Sequence, residues 1–564
     1  MDHLSIPALA LVLLFITLLY RYIVYPIFES PLSRIPNAHP TSPISPLWIL
    51  YIRYNDRENA TVHALHAQHG PLVRLGPSEV SVNCVDGGIK TIYSGGFDKG
   101  DWYSKVFANY GVHNMFSTAL REPHSKRKRM LSNVYAKSVL LASPALRAIC
   151  QTVLCERMLP LVGEVVEGDR RGDGDWGKSK TKGVMEAYEL FSALTMDFVT
   201  AYQFGLGQGS NFTQNLTHCR KWLENYKARQ AYTFWPQEMP AFTAFMRSVG
   251  LGTLLVPKWV DEANQDIEDW CLSMCDKAEA ALQSRSGDEK HAGDYPSVYA
   301  QMRASLVKEQ VKEESGLAEK QGTSLTEETQ LSIASEMLDQ LAAGFDTSGI
   351  TLTYLAWELS KPQNSQIQAS LQEELRSLSP SYAKASPDVE GTELPDAKVI
   401  DELPLLHAVI METLRLHAAI PGIQPRVTPS DATLGPPGAE VHGIPQGVRV
   451  ESAAYSLHRN PEVFPKPEEW RPLRWLDADG KVDSGGEKMR WFWAFGSGGR
   501  MCVGSNLAMA QTKNIVAALW SNYTTLVVDD KGMAHRGGYM ADPLGSSEGS
   551  YLLIQLEKLR AADA

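Results

Sequence analysis

The sequence predicts a mainly helical fold with small β-sheets, joined to an N-terminal transmembrane helix. Three observations predict it. The run 4–25, LSIPALALVLLFITLLYRYIVY, is almost continuously apolar. Long stretches with helical periodicity fill the chain around 124–165, 186–205, 260–284, 327–361, 363–378 and 401–417. Strand signals are few and short: 72–75 and 80–82 across Gly76-Pro77, then turns and small hairpins through 428–455.

The apolar run comes first in the chain. About 20 helical residues cross a bilayer core. A cleaved signal peptide would need a basic start, a shorter apolar stretch and a small-residue cleavage site. This chain starts Met1-Asp2-His3, and no such site follows. Arg21 and Arg34 lie at the far end, so the positive-inside rule puts the body in the cytosol. The expected division is a membrane anchor over 1–27, a proline-rich hinge over 28–47 and one folded body over 48–564. Pro26, Pro31, Pro36, Pro40, Pro43 and Pro46 predict a stiff, extended spacer.

The body has a globular composition, 44% hydrophobic and 21% charged. A formal net charge of −11 excludes a general nucleic-acid binder, which needs a basic surface. Seven cysteines, at 84, 150, 155, 219, 271, 275 and 502, are too scattered for a disulfide framework and lack zinc spacing. Sequons at Asn59, Asn211, Asn215 and Asn522 are expected to go unused on a cytosolic body. No clean linker or internal repeat follows Trp48. The polar, Gly- or Ser-rich segments 167–183, 285–296 and 379–397 read as loops between helices.

Residues 495–504 read F-G-S-G-G-R-M-C-V-G, and a helical stretch follows at 505–518. A cysteine at a helix N-terminus is expected to have its pKa lowered by the dipole and the free N–H groups, which suits a thiolate held against a metal. Gly498 and Gly504 would permit close approach and positive φ. Phe495 would cover the sulfur, and Arg500 would pair with an acidic group. A lone cysteine in a Gly-rich turn is usually structural. Here five residue types are fixed over ten positions as F-x-x-G-x-R-x-C-x-G, which about one chain of this length in ten thousand would match by chance. The functional reading therefore wins.

That segment resembles the haem-binding signature of the cytochrome P450 family, and the resemblance runs over nearly everything from residue 4 to 557. It is most like fungal, membrane-bound, secondary-metabolism members. The resemblance implies the cytochrome P450 fold, haem b (iron protoporphyrin IX) as cofactor, and Cys502 as the axial thiolate on its iron. Arg500 would then hold a haem propionate.

Residues 343–348 read A-G-F-D-T-S inside the helical stretch 327–361, which ends before Pro362. Gly344 would let something flat lie against the helix. Asp346 and Thr347 form an acid–alcohol pair, and oxygen activation consumes protons that such a pair can deliver. Alone the motif is weak, because a helical threonine usually bonds the i−4 carbonyl. It stands 155 residues before Cys502, as the family's distal helix does, so the resemblance makes Asp346 and Thr347 the catalytic pair.

Glu412 and Arg415 match the family's E-x-x-R, at a spacing that puts acid and base on one helical face. Several other Glu/Arg pairs share that spacing. Glu412 differs in its apolar flanks, Val409, Ile410, Leu414 and Leu416, where a charge needs a partner. W-R-P-L-R-W at 470–475 resembles the family element that adds an arginine, here Arg474. Glu412, Arg415 and Arg474 are expected to form a structural lock under the cysteine loop.

By the same resemblance Arg426 would bind a propionate beside Arg500, and His124 would donate a hydrogen bond there. Lys128 stands where many relatives carry arginine. It lacks the planar fork and is left unassigned. Lys126, Arg127, Lys128 and Arg129 form a basic run, read either as a solvated face or as a docking patch for an acidic electron donor. Substrate contacts are expected at about 100–120 (Trp102, Tyr103, Phe107, Phe116), 220–260 (Phe234, Trp235, Phe242, Phe245) and 418–424. Apolar lining there favours a lipophilic small molecule.

The leading expectation is a monooxygenase on the endoplasmic reticulum membrane, single-pass, with its body in the cytosol. It would oxidise a secondary-metabolite intermediate with electrons from NADPH through a cytochrome P450 reductase, with cytochrome b5 as an optional second partner. Two rivals stay open: a reductase-independent haem–thiolate isomerase or dehydratase, and a non-catalytic haem-binding sensor.

Overall fold

The computed structural model describes residues 6–104, 106–168, 181–284, 292–314, 325–384, 393–483, 485–547 and 549–559. The loop expectations at 167–183 and 285–296 fall largely outside them, and that at 379–397 in part. The helices that position the site are α1 (Ile6–Leu19), α2 (Arg121–Leu131), α3 (Ala187–Phe204), α4 (Leu216–Gln230), α5 (Lys258–Gln283), α6 (Glu327–Ser360), α7 (Pro404–Leu416) and α8 (Ser505–Trp520). The strands are β1 (Leu72–Gly76), β2 (Glu79–Val82), β3 (Val184–Glu186), β4 (Arg426–Val427), β5 (Ala432–Leu434), β6 (Val441–Ile444), β7 (Arg449–Glu451), β8 (Tyr523–Asp529) and β9 (Leu553–Lys558). The fold is mostly helical with small sheets.

α1 carries no acidic or basic residue and continues in wider turns, which absorb Pro26, to Glu29. The resulting helix, Pro7–Glu29, is apolar and long enough to cross a membrane, and none of its most apolar stretch is buried. It fits a single-pass anchor. The segment after it is not the free spacer that its prolines predict. Leu32 and Ile35 are buried in the body beside Val80 and Ile444. The buried Arg74 donates from Nη1 to the Pro26 carbonyl at 2.8 Å. Prolines stop the helix, but their apolar neighbours still find a surface to cover.

The stretch 124–165 is broken where the sequence predicted continuity. α2 ends at Leu131, and a new helix starts at Pro144, where Ser143 caps the Leu146 N–H at 3.1 Å and the ring fixes φ. α4, unpredicted, has a clear local cause. Asn215 caps His218 at 3.1 Å, and Leu216, Cys219, Trp222, Leu223 and Tyr226 bury one face.

The sheets sit beside the helices. One runs β1-β2-β7-β4, with β2 and β7 parallel and the others antiparallel; a second runs β3-β9-β8; a third pairs β5 with β6. The core is built on the crossing of α3 and α6. Every residue of α3 is buried, and Thr195 Oγ1 donates to the Phe345 carbonyl at 2.8 Å. Gly344 serves that crossing. A Cβ there would lie 2.7 Å from Val199 Cγ2, so its missing side chain lets α3 come close rather than making room for a flat ligand.

Candidate active site

A cavity of about 480 Å³ lies between α6 and the loop that leads into α8. Ala343, Gly344 and Thr347 line it from α6, and residues 493–497 and 500–504 line it from the loop. Cys502 closes that loop by donating its N–H to the Phe495 carbonyl at 2.9 Å, and Phe495 packs against the core. Gly498 has φ +68°, and a Cβ there would stand 2.3 Å from the Tyr93 carbonyl, so no other residue fits. Gly504 departs from expectation. Its φ is −85°, and a Cβ would meet no protein atom within 4 Å. It leaves open the space beside the sulfur.

The Cys502 side chain is accessible from the cavity yet enclosed by protein. Burial pushes its thiol above the ordinary value; the N–H groups of Gly504 and Ser505 and the Lys128 ammonium pull the other way and lose. The expected net lowering by the helix terminus is therefore overturned. A bound metal ion would add its own charge to the pull of the terminus toward the thiolate.

Basic side chains gather beside the sulfur loop. Arg500 donates to the Thr118 carbonyl at 2.8 Å and to the Ala119 carbonyl. Arg426, on β4, donates to the Tyr103 hydroxyl at 2.9 Å and the Pro425 carbonyl at 2.7 Å. Lys99, unpredicted, is buried between the rings of Phe116 and Tyr103, at 3.8 and 4.0 Å, and donates to the Phe116 carbonyl at 2.6 Å. Burial and the two arginines hold Lys99 well below its ordinary pKa, and burial takes Arg500 down to about 10. His124 is pushed down to about 3 by burial and the same cations, so it is neutral, and its ring has no protein partner among the described residues. Lys99, Arg426 and Arg500 have no carboxylate in ion-pair range among the described residues. A buried cluster of this kind lacks negative charge. An accessible thiol, open space at Gly504 and three basic side chains without a carboxylate partner among the described residues together fit a flat group with a metal centre and two acidic arms.

Lys128 points elsewhere. Its Nζ donates to the carbonyls of Gly499 and Met501, at 3.0 and 2.7 Å, and so ties α2 to the cysteine loop. The basic run around it is mostly engaged within the chain: Lys126 with Glu309 at 3.2 Å, Arg127 with Glu336 at 3.4 Å and with Ser332. Only Arg129 is without a hydrogen bond or ion pair from its side chain among the described residues, which weakens the docking-patch reading.

Thr347 faces the cavity and donates to the Ala343 carbonyl at 2.7 Å. The Asp346 carboxylate lies away from it, because successive helical residues point about 100° apart. No hydrogen bond joins the two side chains among the described residues. Asp346 is buried, accepts from Gln230 Nε2 at 3.2 Å, and has its pKa raised to about 7 by burial and by Asp542, against the pull of Lys227.

Glu412 and Arg415 meet on α7 as a forked pair, at 2.9 and 2.8 Å, both 0% exposed. Arg474 Nε reaches the same carboxylate at 3.0 Å, as do Trp475 Nε1 at 2.9 Å and the Arg471 N–H at 2.8 Å. His458 carries this arrangement to the cysteine loop. Its Nε2 accepts from the Trp493 N–H at 2.7 Å, which leaves Nδ1 to donate to the Arg415 carbonyl at 2.8 Å. Burial pushes His458 down to about 3, so the neutral tautomer is fixed.

Of the expected substrate-facing aromatics, Trp102, Phe107, Phe116 and Phe234 line the cavity, with Ala419, Ile420 and Ile423 from the third region. Phe242 and Phe245 do not; they are 40% and 59% exposed on the outer surface. Tyr103 and Trp235 pack behind the lining. The sequence reading missed Lys99, His458 and a buried network around Arg53, whose partners lie too far along the chain to leave a local pattern.

A family profile described as "Cytochrome P450" matches residues 43–537, which contain Cys502, the basic cluster, Asp346, Thr347 and the Glu412–Arg415–Arg474 lock. The chain is 28% identical to cytochrome P450 monooxygenase avaI of Aspergillus versicolor, over 78% of this chain and 92% of that protein. It is 26% identical to cytochrome P450 monooxygenase ucsK of an Acremonium species, over 88% and 87%. It is 25% identical to the fusicoccadiene C-8 hydroxylase of Alternaria brassicicola, over 92% and 90%.

Proposed function

The chain belongs to the cytochrome P450 family, and from that premise we propose that it oxidises a lipophilic small molecule, a secondary-metabolite intermediate, with electrons from an NADPH-dependent reductase. We place it on the endoplasmic reticulum membrane, with its body on the cytosolic side. The observation that carries the reading is the Cys502 thiol, open to a largely apolar cavity beside buried Lys99 and Arg426 and half-buried Arg500, with no carboxylate in ion-pair range of them among the described residues.

Haem, when bound through Cys502, supplies the activation of O2 with two electrons. The chain's own residues do the rest. Arg426 and Arg500 bind the propionates, and neutral His124 donates to them. Phe495 and the loop it closes keep water from the sulfur. Lys128 and His458 hold the loop's carbonyls and its Trp493 N–H. Glu412, Arg415 and Arg474 fix the helix beneath. Thr347 presents Oγ1 at the cavity wall, its proton held by the Ala343 carbonyl and its lone pairs free to accept. Asp346, held at about 7 behind the cavity wall and bonded to the cavity-lining Gln230, is the acid partner.

The test is the spectrum of the reduced, carbon monoxide-treated protein. Wild type should give the far-shifted band of a thiolate-ligated haem, and Cys502→Ser should lose it. A band that survives the substitution, or purified wild type without porphyrin, would overturn the proposal. Turnover should require NADPH and a reductase. Turnover of a peroxide without them would favour an isomerase instead.

A further inference from the structure

We propose that Arg229 is the anchor for an anionic head group, and that the substrate is a lipophilic carboxylate. The inference rests on the monooxygenase reading and extends it to a substrate class.

The charges on the cavity wall lead to it by elimination. Arg53 is gripped by Glu58, Glu79, Glu238 and Glu451. Arg536 faces Asp56 and Asp542, at 3.8 and 3.3 Å. Lys128 is spent on loop carbonyls. Lys99, Arg426 and Arg500 form the cluster beside the sulfur loop. Arg229, in the last turn of α4, remains. It lines the cavity and reaches back over Tyr226, 5.8 Å from the ring centroid. Among the described residues its guanidinium has no hydrogen bond and no ion pair. The residues around it in that turn are engaged: Lys227 with the Tyr551 hydroxyl, Gln230 with Asp346.

Asp339 is the acidic group that faces Arg229 from α6, and it is not in ion-pair contact with it. Burial pushes the Asp339 carboxyl well above its ordinary range despite Lys99 and Arg229, so it is a weak counter-ion. A guanidinium in a mostly apolar wall, with five donors and no acceptor, matches a carboxylate in shape and charge. Its neighbour Gln230 touches Asp346, which puts Arg229 alongside the turn that carries Thr347. A carboxylate held there would leave the apolar part of the molecule to fill the cavity over Cys502.

The experiment uses the full-length, haem-loaded protein in lipid nanodiscs, with optical titrations as the readout. The probes are straight-chain carboxylic acids, their methyl esters, the matching amines, and phenylimidazole as a direct iron ligand. Charge-assisted hydrogen bonds contribute about 1.5–3 kcal/mol, or about ten- to a hundredfold in affinity. Wild type should therefore bind the acids at least about tenfold more tightly than the esters. Arg229→Gln should bring the acids down to the esters and leave the esters unchanged, while Arg229→Lys should restore part of the difference. The proposal is overturned if acids and esters bind alike in wild type, if amines bind best, or if Arg229→Gln weakens both series equally. It is also overturned if phenylimidazole shifts the spectrum and no acid does. Failure of phenylimidazole in wild type would instead remove the haem–thiolate reading, and this inference with it.

Discussion

Asp346 concentrates a charge problem in one side chain. An unfolded aspartate releases its proton near pH 4, whereas burial and Asp542 hold this one until about 7. Between those values the folded chain binds more protons than the unfolded one, so this group's contribution to stability falls as pH rises and is fully adverse above 7. The shift corresponds to at most about 4 kcal/mol. Asp346→Asn should therefore melt above wild type at pH 8, with the gap closing toward pH 4, while more of its NADPH consumption goes without product. A gap independent of pH in thermal melts would refute the assignment. Glu412→Ala acts in the opposite direction. It strands Arg415, Arg474 and the Trp475 N–H, and breaking a buried ion pair costs about 3–5 kcal/mol. The expected product holds little haem, read by porphyrin content per chain; normal occupancy would defeat the lock. Residues of this kind differ in how legible they were. Cys502, Arg500 and Glu412 sit in short strings whose spacing is itself the signal. Lys99 stands in an ordinary polar string, F-D-K-G-D-W, and is marked only by the rings and cations that folding brings to it.

Short elements around the cavity depend on ties that the sequence hides. The turn of helix Phe234–Glu238 lines the cavity, and no residue in it is fully buried. Glu238 fastens it down, accepting from Arg449 at 3.0 Å, Arg53 at 3.2 Å and Trp102 Nε1 at 2.7 Å. Those arginines also hold Glu58, Glu79 and Glu451, so two cations serve four carboxylates. The arginines keep the Glu238 carboxyl down at about 2, against its burial. Glu238→Gln would leave both arginines paired while loosening the wall, at a cost of about 1–3 kcal/mol. It should speed phenylimidazole binding in stopped-flow without reducing haem content. An unchanged association rate would mean that this segment does not govern ingress. Arg53 and Glu451 are 398 positions apart, so no window of sequence could have paired them. The helices were more readable, because periodicity is local: α3, α5, α6 and α7 fall close to where it predicts. α4 shows the limit. Its buried stripe is interleaved with Arg220, Lys221, Lys227 and Arg229, and the charge masked the face.

At the scale of the whole molecule, the N-terminal apolar helix runs into contacts with the body, and the junction lies further along the chain than the apolar run suggests. The family and the fold were legible because a few spaced motifs stood in the right order; how the membrane segment joins the body was not, since prolines read as spacer whatever they pack against. The junction is a set of contacts. Arg74 is buried and donates to the carbonyls of Pro26 at 2.8 Å and Pro77 at 2.9 Å, and burial takes its pKa down to about 10. Leu32 and Ile35 fill the core beside β2 and β6. Burying a side chain of that size contributes about 1.5–3 kcal/mol, and an orphaned buried donor costs about 1–3 kcal/mol. Two truncations separate membrane attachment from these contacts. A chain begun at Tyr25 removes most of the apolar span and keeps Pro26, Leu32 and Ile35; it should leave the membrane fraction, melt close to full length and hold haem. A chain begun at Asn37 removes all three and should melt several degrees lower, with Arg74 Nη1 stripped of its acceptor while Nη2 keeps the Pro77 carbonyl. Replacing Arg74 with methionine in the Asn37 chain should recover part of the loss, because the stranded charge is then gone. Equal melting of the two truncated proteins would mean that 26–36 is a tether after all, and that the body ends where the prolines begin.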